Sequence, residues 1–406
     1  MITRLKTVNF KALHNTDIRF CDFTVLIGNN ASGKSSVIQA IDFLITSCKA
    51  EFSAFLEQRD LEASDILSLL SETISNKISF YSEWNIWQPE GTPLRLSWEM
   101  EVEVMDTGKI HLIHELITDL GNKKTLLSFD SSRKPHCLTV TEADGQEINY
   151  PSLSLKSSSI YLVLRNDDND MKELPKLTAF KNFLVNSYSY DLLSPEEMRQ
   201  SSRGQVKFIG ASGRDLSAYI KGMSPETKKS LLSKLRTLLD NTVTDIKTKT
   251  VSPGWNKVET VEHYGNNLIT VSARNMSDGM LRLIAIITIS EYKAPSLMLM
   301  DELENGINTR YAEQLVKLLQ DTCKKNHQQI IVSTHSTVFL DYFQPQNIVM
   351  LSRDSTTGYT KSVTMSDIPN IQELCEYMFP GEIILNMSNQ EIADAFLKTN
   401  AGAHID

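Results

Sequence analysis

The octapeptide Gly28-Asn-Asn-Ala-Ser-Gly33-Lys34-Ser35 constrains this chain more than any other stretch. It fits the pattern G-x-x-x-x-G-K-[ST], and its flanks are the ones that pattern requires. An apolar strand-like run, Phe23–Ile27, precedes it and a helix-like run at 36–43 follows. Glycines in such a loop let successive backbone N–H groups close around phosphate oxygens at the N-terminus of the next helix. Lys34 then supplies a positive charge to the β- and γ-phosphates, and Ser35 a hydroxyl to Mg²⁺. Gly28, Asn29, Asn30, Ala31, Ser32, Gly33, Lys34, Ser35 and Ser36 are therefore the expected phosphate-binding residues, for a nucleotide such as ATP.

Three further elements gain meaning from that loop. Leu297-Met-Leu-Met300-Asp301-Glu302 reads as a buried strand ending in two acids. Carboxylates at the end of a buried strand must be solvated, metal-bound or titrated. Asp301 suits the Mg²⁺ sphere, and Glu302 suits a general base that orients water against the γ-phosphate. Ile330-Ile331-Val332-Ser333-Thr334-His335 reads as a second buried strand ending in a histidine, placed to hydrogen-bond the γ-phosphate and sense its loss. Ser277-Asp278-Gly279 opens a mixed apolar helix at 281–290. Such a helix start can donate to phosphate, and it serves equally well as an ordinary N-cap with a turn glycine.

Between these elements the chain changes character. Strand-like segments are expected at 78–87, 94–104, 110–117, 126–129, 138–140 and 160–164, with turns at Pro89–Gly91, Gly121–Asn122 and Asp144–Gly145. A polar loop is expected at 166–176, mostly helix over 177–246, and renewed alternation over 256–273. From 279 to 340 the order helix, strand, helix, strand is that of a parallel α/β fold. Net charge is −9, so a nucleic-acid surface would have to be a local patch. The best patch spans residues 221–249, with seven lysines and arginines against three acids, and it reads best as the solvated face of an amphipathic helix. Five scattered cysteines and no apolar run near 18 residues point to a reducing cytoplasm and away from a membrane. His14, His111, His114, His136, His263, His327 and His404 fall in no metal-ligand spacing. His111 and His114, three apart on a strand, should face opposite ways.

Taken in order, the four elements resemble an ABC-type ATPase of the SMC/RecF/OLD-like group. In particular, the chain is similar to the compact AAA family ATPases common in bacterial defence loci. The resemblance rests on Asn9-Phe10-Lys11 in the opening strand, the loop at 28–35, the segment at 210–216, Ser277-Asp278-Gly279-Met280-Leu281-Arg282 as signature motif, Asp301 to Gly306 as Walker B running into the D-loop, and His335 as switch histidine. Leu303 stands where many relatives carry proline, Asn308-Thr309 where they carry His-Pro, and no glutamine is assigned to a Q-loop. The resemblance implies an α/β ABC ATPase head with a mixed sheet, an antiparallel β lobe and a helical insertion. The head would span 1–365, its core drawn from 1–48 and 266–365, with the β lobe at about 78–165, the insertion at about 166–250 and a tail at 366–406. It also implies a homodimer or higher oligomer with ATP sandwiched between heads, Ser277 and Gly279 of one completing the site of the other. A Toprim domain is not expected after Leu351.

Two outputs fit that plan. One is control of a partner effector, a nuclease or toxin, by nucleotide state in anti-phage defence. The alternative is a RecF-like DNA-repair ATPase, with nucleic acid as partner. A transporter subunit fits neither the signature nor the long stretch between Lys34 and Ser277.

Overall fold

The computed structural model describes residues 1–70, 75–88, 91–151, 153–164, 173–239, 242–387, 391 and 395–396. The turn expected at Pro89, most of the polar loop at 166–176 and most of the tail beyond 387 lie outside the described residues. The chain divides into two compact units. One holds Met1–Ser187 and Pro345–Leu374, the other Tyr188–Gln344 and Cys375–Asn386.

The first unit is built on an eight-stranded antiparallel sheet. Its strands run in spatial order Thr16–Arg19, Ile2–Val8, Lys77–Ile86, Leu94–Val104, Ile110–Asp119, Lys124–Asp130, His136–Thr141 and Glu147–Pro151. Alternate residues of Lys77–Ile86 are buried, the period-two pattern of a strand with one face inward. Phe80 and Trp84 lie on that inward face. Phe43, on the helix Lys34–Ser47, stacks on Phe80 at 5.5 Å and on Phe52 at 5.3 Å, with Phe10 at 6.0 Å. Trp84 and Trp98 take Phe180 of the helix Pro175–Val185 edge-on at 5.4 and 5.5 Å. Ring pairs at these spacings add about 1 kcal/mol each beyond their burial, so the lobe grips the helix that follows the glycine-rich loop.

Sequence alternation located most of these strands but misread two details. Residues 160–164, expected as a strand, are instead the helix Ser159–Val163, capped by the Ser158 hydroxyl. The reason lies on the neighbouring strand. Buried Glu115 accepts from Trp98 Nε1 at 2.8 Å, Ser158 Oγ at 2.6 Å, the Ser159 amide at 2.7 Å and the Ser159 hydroxyl, which winds that segment into a turn around the carboxylate. Desolvation pushes the Glu115 pKa up and those four donors oppose it. In addition, His111 and His114 do not face opposite ways. A bulge between Leu112 and His114 doubles one step, so buried residues fall at 110, 112, 115 and 117, leaving both histidines on the outer face.

A second, mixed sheet in this unit carries the loop. Phe23–Ile27, buried at every residue, pairs parallel with Ile348–Arg353, which pairs antiparallel with Thr360–Thr364.

The second unit holds three parallel strands, Tyr188–Tyr190, Leu297–Met300 and Gln329–Thr334, with the helices Asp278–Glu291 and Ala312–Asn326 as connections, the alternation expected from sequence. Pro195–Met198, Leu216–Lys221 and Pro225–Leu238 are helical as expected. Residues 243–246, expected as helix, open the strand Val243–Ser252 instead. That strand pairs antiparallel with Trp255–Tyr264, which pairs on with Asn267–Ser272. Val243–Ser252 is mostly exposed, so it shows no apolar alternation for a sequence reading to find. No described helix is long and apolar enough to cross a membrane.

Candidate nucleotide site

The glycine-rich loop is held on one side by the strands Ile348–Arg353 and Thr360–Thr364. A Cβ on Gly28 would sit 2.1 Å from the Leu351 carbonyl oxygen, and one on Gly33 2.2 Å from Thr360 Oγ1. Gly33 also has φ of 103°, where a side chain is strained. Both glycines are thus fixed by packing within the first unit. Thr360 Oγ1 donates to the Ser32 carbonyl at 2.9 Å, and Arg353 Nε donates to the Ala31 carbonyl at 2.6 Å. Ala31 takes a left-handed φ of 61°. Lys34, 5% exposed, donates from Nζ to the carbonyls of Gly28 at 2.8 Å and Asn29 at 3.1 Å, spanning the loop.

These residues fit a bound phosphate on three counts. The helix Lys34–Ser47 begins at Gly33 without a side-chain cap and with no acid in its first turn, so its positive end stays uncompensated. The Ser32 hydroxyl is buried without a hydrogen-bond partner, a cost that a phosphate oxygen would relieve. Asn29, Asn30, Ala31 and Ser35 are exposed, with Ser36 half-buried, so one side of the loop is open.

Two residues beside the loop carried no signal in the sequence. Arg353 and Thr360 hold the loop from more than three hundred residues away, a proximity that only strand pairing creates. Beside them His14 stacks on Tyr359, ring centroids 4.4 Å apart.

The remaining site residues gather in the second unit. Asp301 and Glu302 follow the strand Leu297–Met300. Ser333 ties both: its hydroxyl donates to Asp301 Oδ1 and accepts the Glu302 amide at 2.9 Å. Glu302 itself sits at φ of 50°, and its side chain receives a long contact, 3.4 Å, from Asn305 Nδ2. The His335 amide donates to Glu304 Oε1 at 2.6 Å, while the His335 side chain is exposed.

Ser277 is the N-cap of the helix Asp278–Glu291, its hydroxyl accepting the Met280 amide at 3.3 Å. The ordinary capping role is therefore filled, and the hydroxyl proton remains available to donate. Arg199 donates to Asp278 Oδ1 at 2.6 Å and to the Met276 carbonyl at 2.9 Å, pinning the turn. A Cβ on Gly279 would lie 2.1 Å from the Gly306 carbonyl oxygen, so packing alone demands glycine there.

The basic run at 221–249 is largely spent on internal contacts. Lys221 donates to Asn256, Lys234 pairs with Glu291, Arg236 donates to the carbonyls of Val243 and Thr244, and Lys247 and Lys249 approach Asp245 and Glu259.

The chain matches the AAA ATPase domain family over residues 1–340 and belongs to that family. Its fold is similar to that of an SMC head bound to the C-winged helix domain of ScpA, with a TM-score of 0.56 at 16% identity over 89% of this chain and 96% of that one. It is also similar to the SMC head domain from Thermotoga maritima (14% identity, 89% and 98% covered, TM-score 0.46). A third similar structure is the Smc head domain with an extended coiled coil, bound to the C-terminal domain of ScpA, from Pyrococcus furiosus (16%, 92% and 99%, 0.45). No curated protein matches the sequence. The chain is accordingly an ATPase-domain protein with the α/β fold of an SMC-type head.

Proposed function

We propose that this chain binds and hydrolyses ATP with Mg²⁺ as one member of a homodimer, and that its nucleotide state controls a partner effector, a nuclease or toxin, in cytoplasmic anti-phage defence. The observation that carries the ATP reading is the loop: a buried, unpartnered Ser32 hydroxyl, an uncapped helix N-terminus and Lys34 belong to one run of residues in which Asn29, Asn30, Ala31 and Ser35 are exposed.

Each residue then has a role that its own surroundings support. Gly28, Asn29, Asn30, Ala31 and Gly33 present backbone amides to phosphate and Ser32 its unpartnered hydroxyl, with Ser36 in the first helical turn. Lys34 exchanges its loop carbonyls for phosphate oxygens. The Ser35 hydroxyl in the first unit and the Asp301 carboxylate in the second, the latter steadied by Ser333, are the groups that would hold Mg²⁺. When bound, the ion neutralises charge on the phosphates. Glu302 orients and deprotonates the attacking water, and His335 hydrogen-bonds the γ-phosphate. Ser277, Asp278 and Gly279 serve the site of the second copy, the serine through its free proton and the glycine through its backbone.

The partner reading draws on two observations. The SMC head of similar fold is bound to a domain of another protein, ScpA. In the second unit of this chain Tyr377, Phe379 and Leu385 are 81%, 60% and 69% exposed within a span of nine residues, a density of apolar surface typical of contact sites. A DNA-repair role is less well supported, because the basic run is engaged within the fold.

The test is purification of the tagged chain from its native operon with and without Mg²⁺–ATP. A protein retained in one nucleotide state and released in the other is the expected result. A chain that emerges alone in both states, or that cuts DNA or RNA by itself, contradicts the partner reading.

A further inference from the structure

Arg282 is the feature of the second unit that the roles above leave unused. It lies one turn into the helix Asp278–Glu291 and is 1% exposed, among the largest fully buried side chains described. A guanidinium has five donors. Here Nη2 donates to the Glu302 carbonyl at 2.9 Å, and Nε is buried without a partner. Burial pulls its pKa down, while Glu304, Glu302 and Asp191 act against that pull. A buried, under-satisfied cation is expensive and survives only where something requires it.

What requires it is the backbone of Glu302. That residue has a left-handed φ of 50°, a conformation most side chains avoid. Three bonds hold it. Its amide donates to Ser333 Oγ at 2.9 Å, and its carbonyl accepts from Arg282 at 2.9 Å, the only side chain to reach it among the described residues, and from the Asn305 amide at 3.1 Å. One turn earlier on the same helix, Gly279 meets the Gly306 carbonyl backbone to backbone. Positions 279 and 282 share one helix face, so that face touches both ends of the loop that carries Glu302.

We propose that Arg282 is a positioning residue that makes the signature helix and the Glu302 carboxylate one mechanical body, so that the helix start contacted by a second head aims the general base of its own chain. This rests on the reading of Glu302 as base. The consequence is a rate effect without a binding effect, because the loop that binds phosphate lies in the first unit and has its own fixing contacts.

The experiment compares Arg282→Met, which keeps the apolar stem, and Arg282→Lys, which keeps a charge and a donor. Both are measured in the full chain for ATP affinity, steady-state phosphate release and melting temperature, and again with Glu302→Gln added. The expected result is a fall in kcat of about tenfold to a hundredfold for Arg282→Met, with ATP affinity within about twofold and partial recovery in Arg282→Lys. In the Glu302→Gln background, Arg282→Met should cost nothing more, since both changes disable the same group. A folded Arg282→Met with unchanged kcat overturns the proposal. So does an additive loss on top of Glu302→Gln, or a failure of both single variants to fold, which would make Arg282 a residue of the core alone. If Glu302→Gln by itself leaves turnover intact, the base assignment falls instead, and the two failures stay distinct.

Discussion

Lys34→Ala lowers ATP affinity by about a hundredfold in calorimetric titration, while the melting temperature stays within a few degrees of the unmutated chain. The magnitude follows from the loss of a charge-assisted contact to phosphate, about 2–3 kcal/mol where water is excluded. In the structure Lys34 is 5% exposed, and its ammonium already bridges the Gly28 and Asn29 carbonyls. Removing it therefore takes away both the charge and one tie across the loop. The second loss is tolerable, because Thr360 and Arg353 still hold the Ser32 and Ala31 carbonyls. Unchanged affinity in the alanine variant would remove the loop from the nucleotide site.

Glu302→Gln is expected to keep ATP affinity and to slow phosphate release by about 10²- to 10⁴-fold, the usual worth of a positioned general base. Glutamine preserves the size of the side chain, and neither backbone clamp on residue 302, to Ser333 and from Arg282, depends on the carboxylate. The substitution thus removes proton transfer with little else. It should also accumulate dimers with ATP held between them, visible by light scattering in the presence of Mg²⁺–ATP. Full turnover in this variant would mean that another group is the base.

How far the sequence revealed this arrangement depends on whether the information was local. The loop at 28–35 was legible because a strand, two glycines, a lysine and a helix lie side by side in the chain and the chemistry needs them in that order. The strand ending at Asp301 and the one ending at His335 were legible as short runs of buried residues, read in the light of that loop. What supports them was not. Arg353 and Thr360 reach the loop through strand pairing, and Arg199 reaches Asp278 across seventy-nine residues. The helix Ser159–Val163 was read as a strand because five apolar-rich residues carry no period, and the Glu115 carboxylate that turns them lies on another strand. The strand Val243–Ser252 was missed for the converse reason: exposed on most of its length, it has no apolar face to announce it. Gly279 was read from its motif alone, whereas the Gly306 carbonyl supplies a packing reason that no local pattern contains.

The central claim is that a working site needs two copies, the loop and acids of one chain and the helix start at Ser277 of another. Mixing tests it most directly. Lys34→Ala and Ser277→Arg proteins are each purified, shown to be inactive alone, and combined in equal amounts with Mg²⁺–ATP. Random reassortment puts half of the chains in mixed dimers with one complete site each, so up to about a quarter of the unmutated activity should return. A mixture no more active than the sum of its two parts, or a Ser277→Arg protein that hydrolyses ATP unaided, would contradict the shared site.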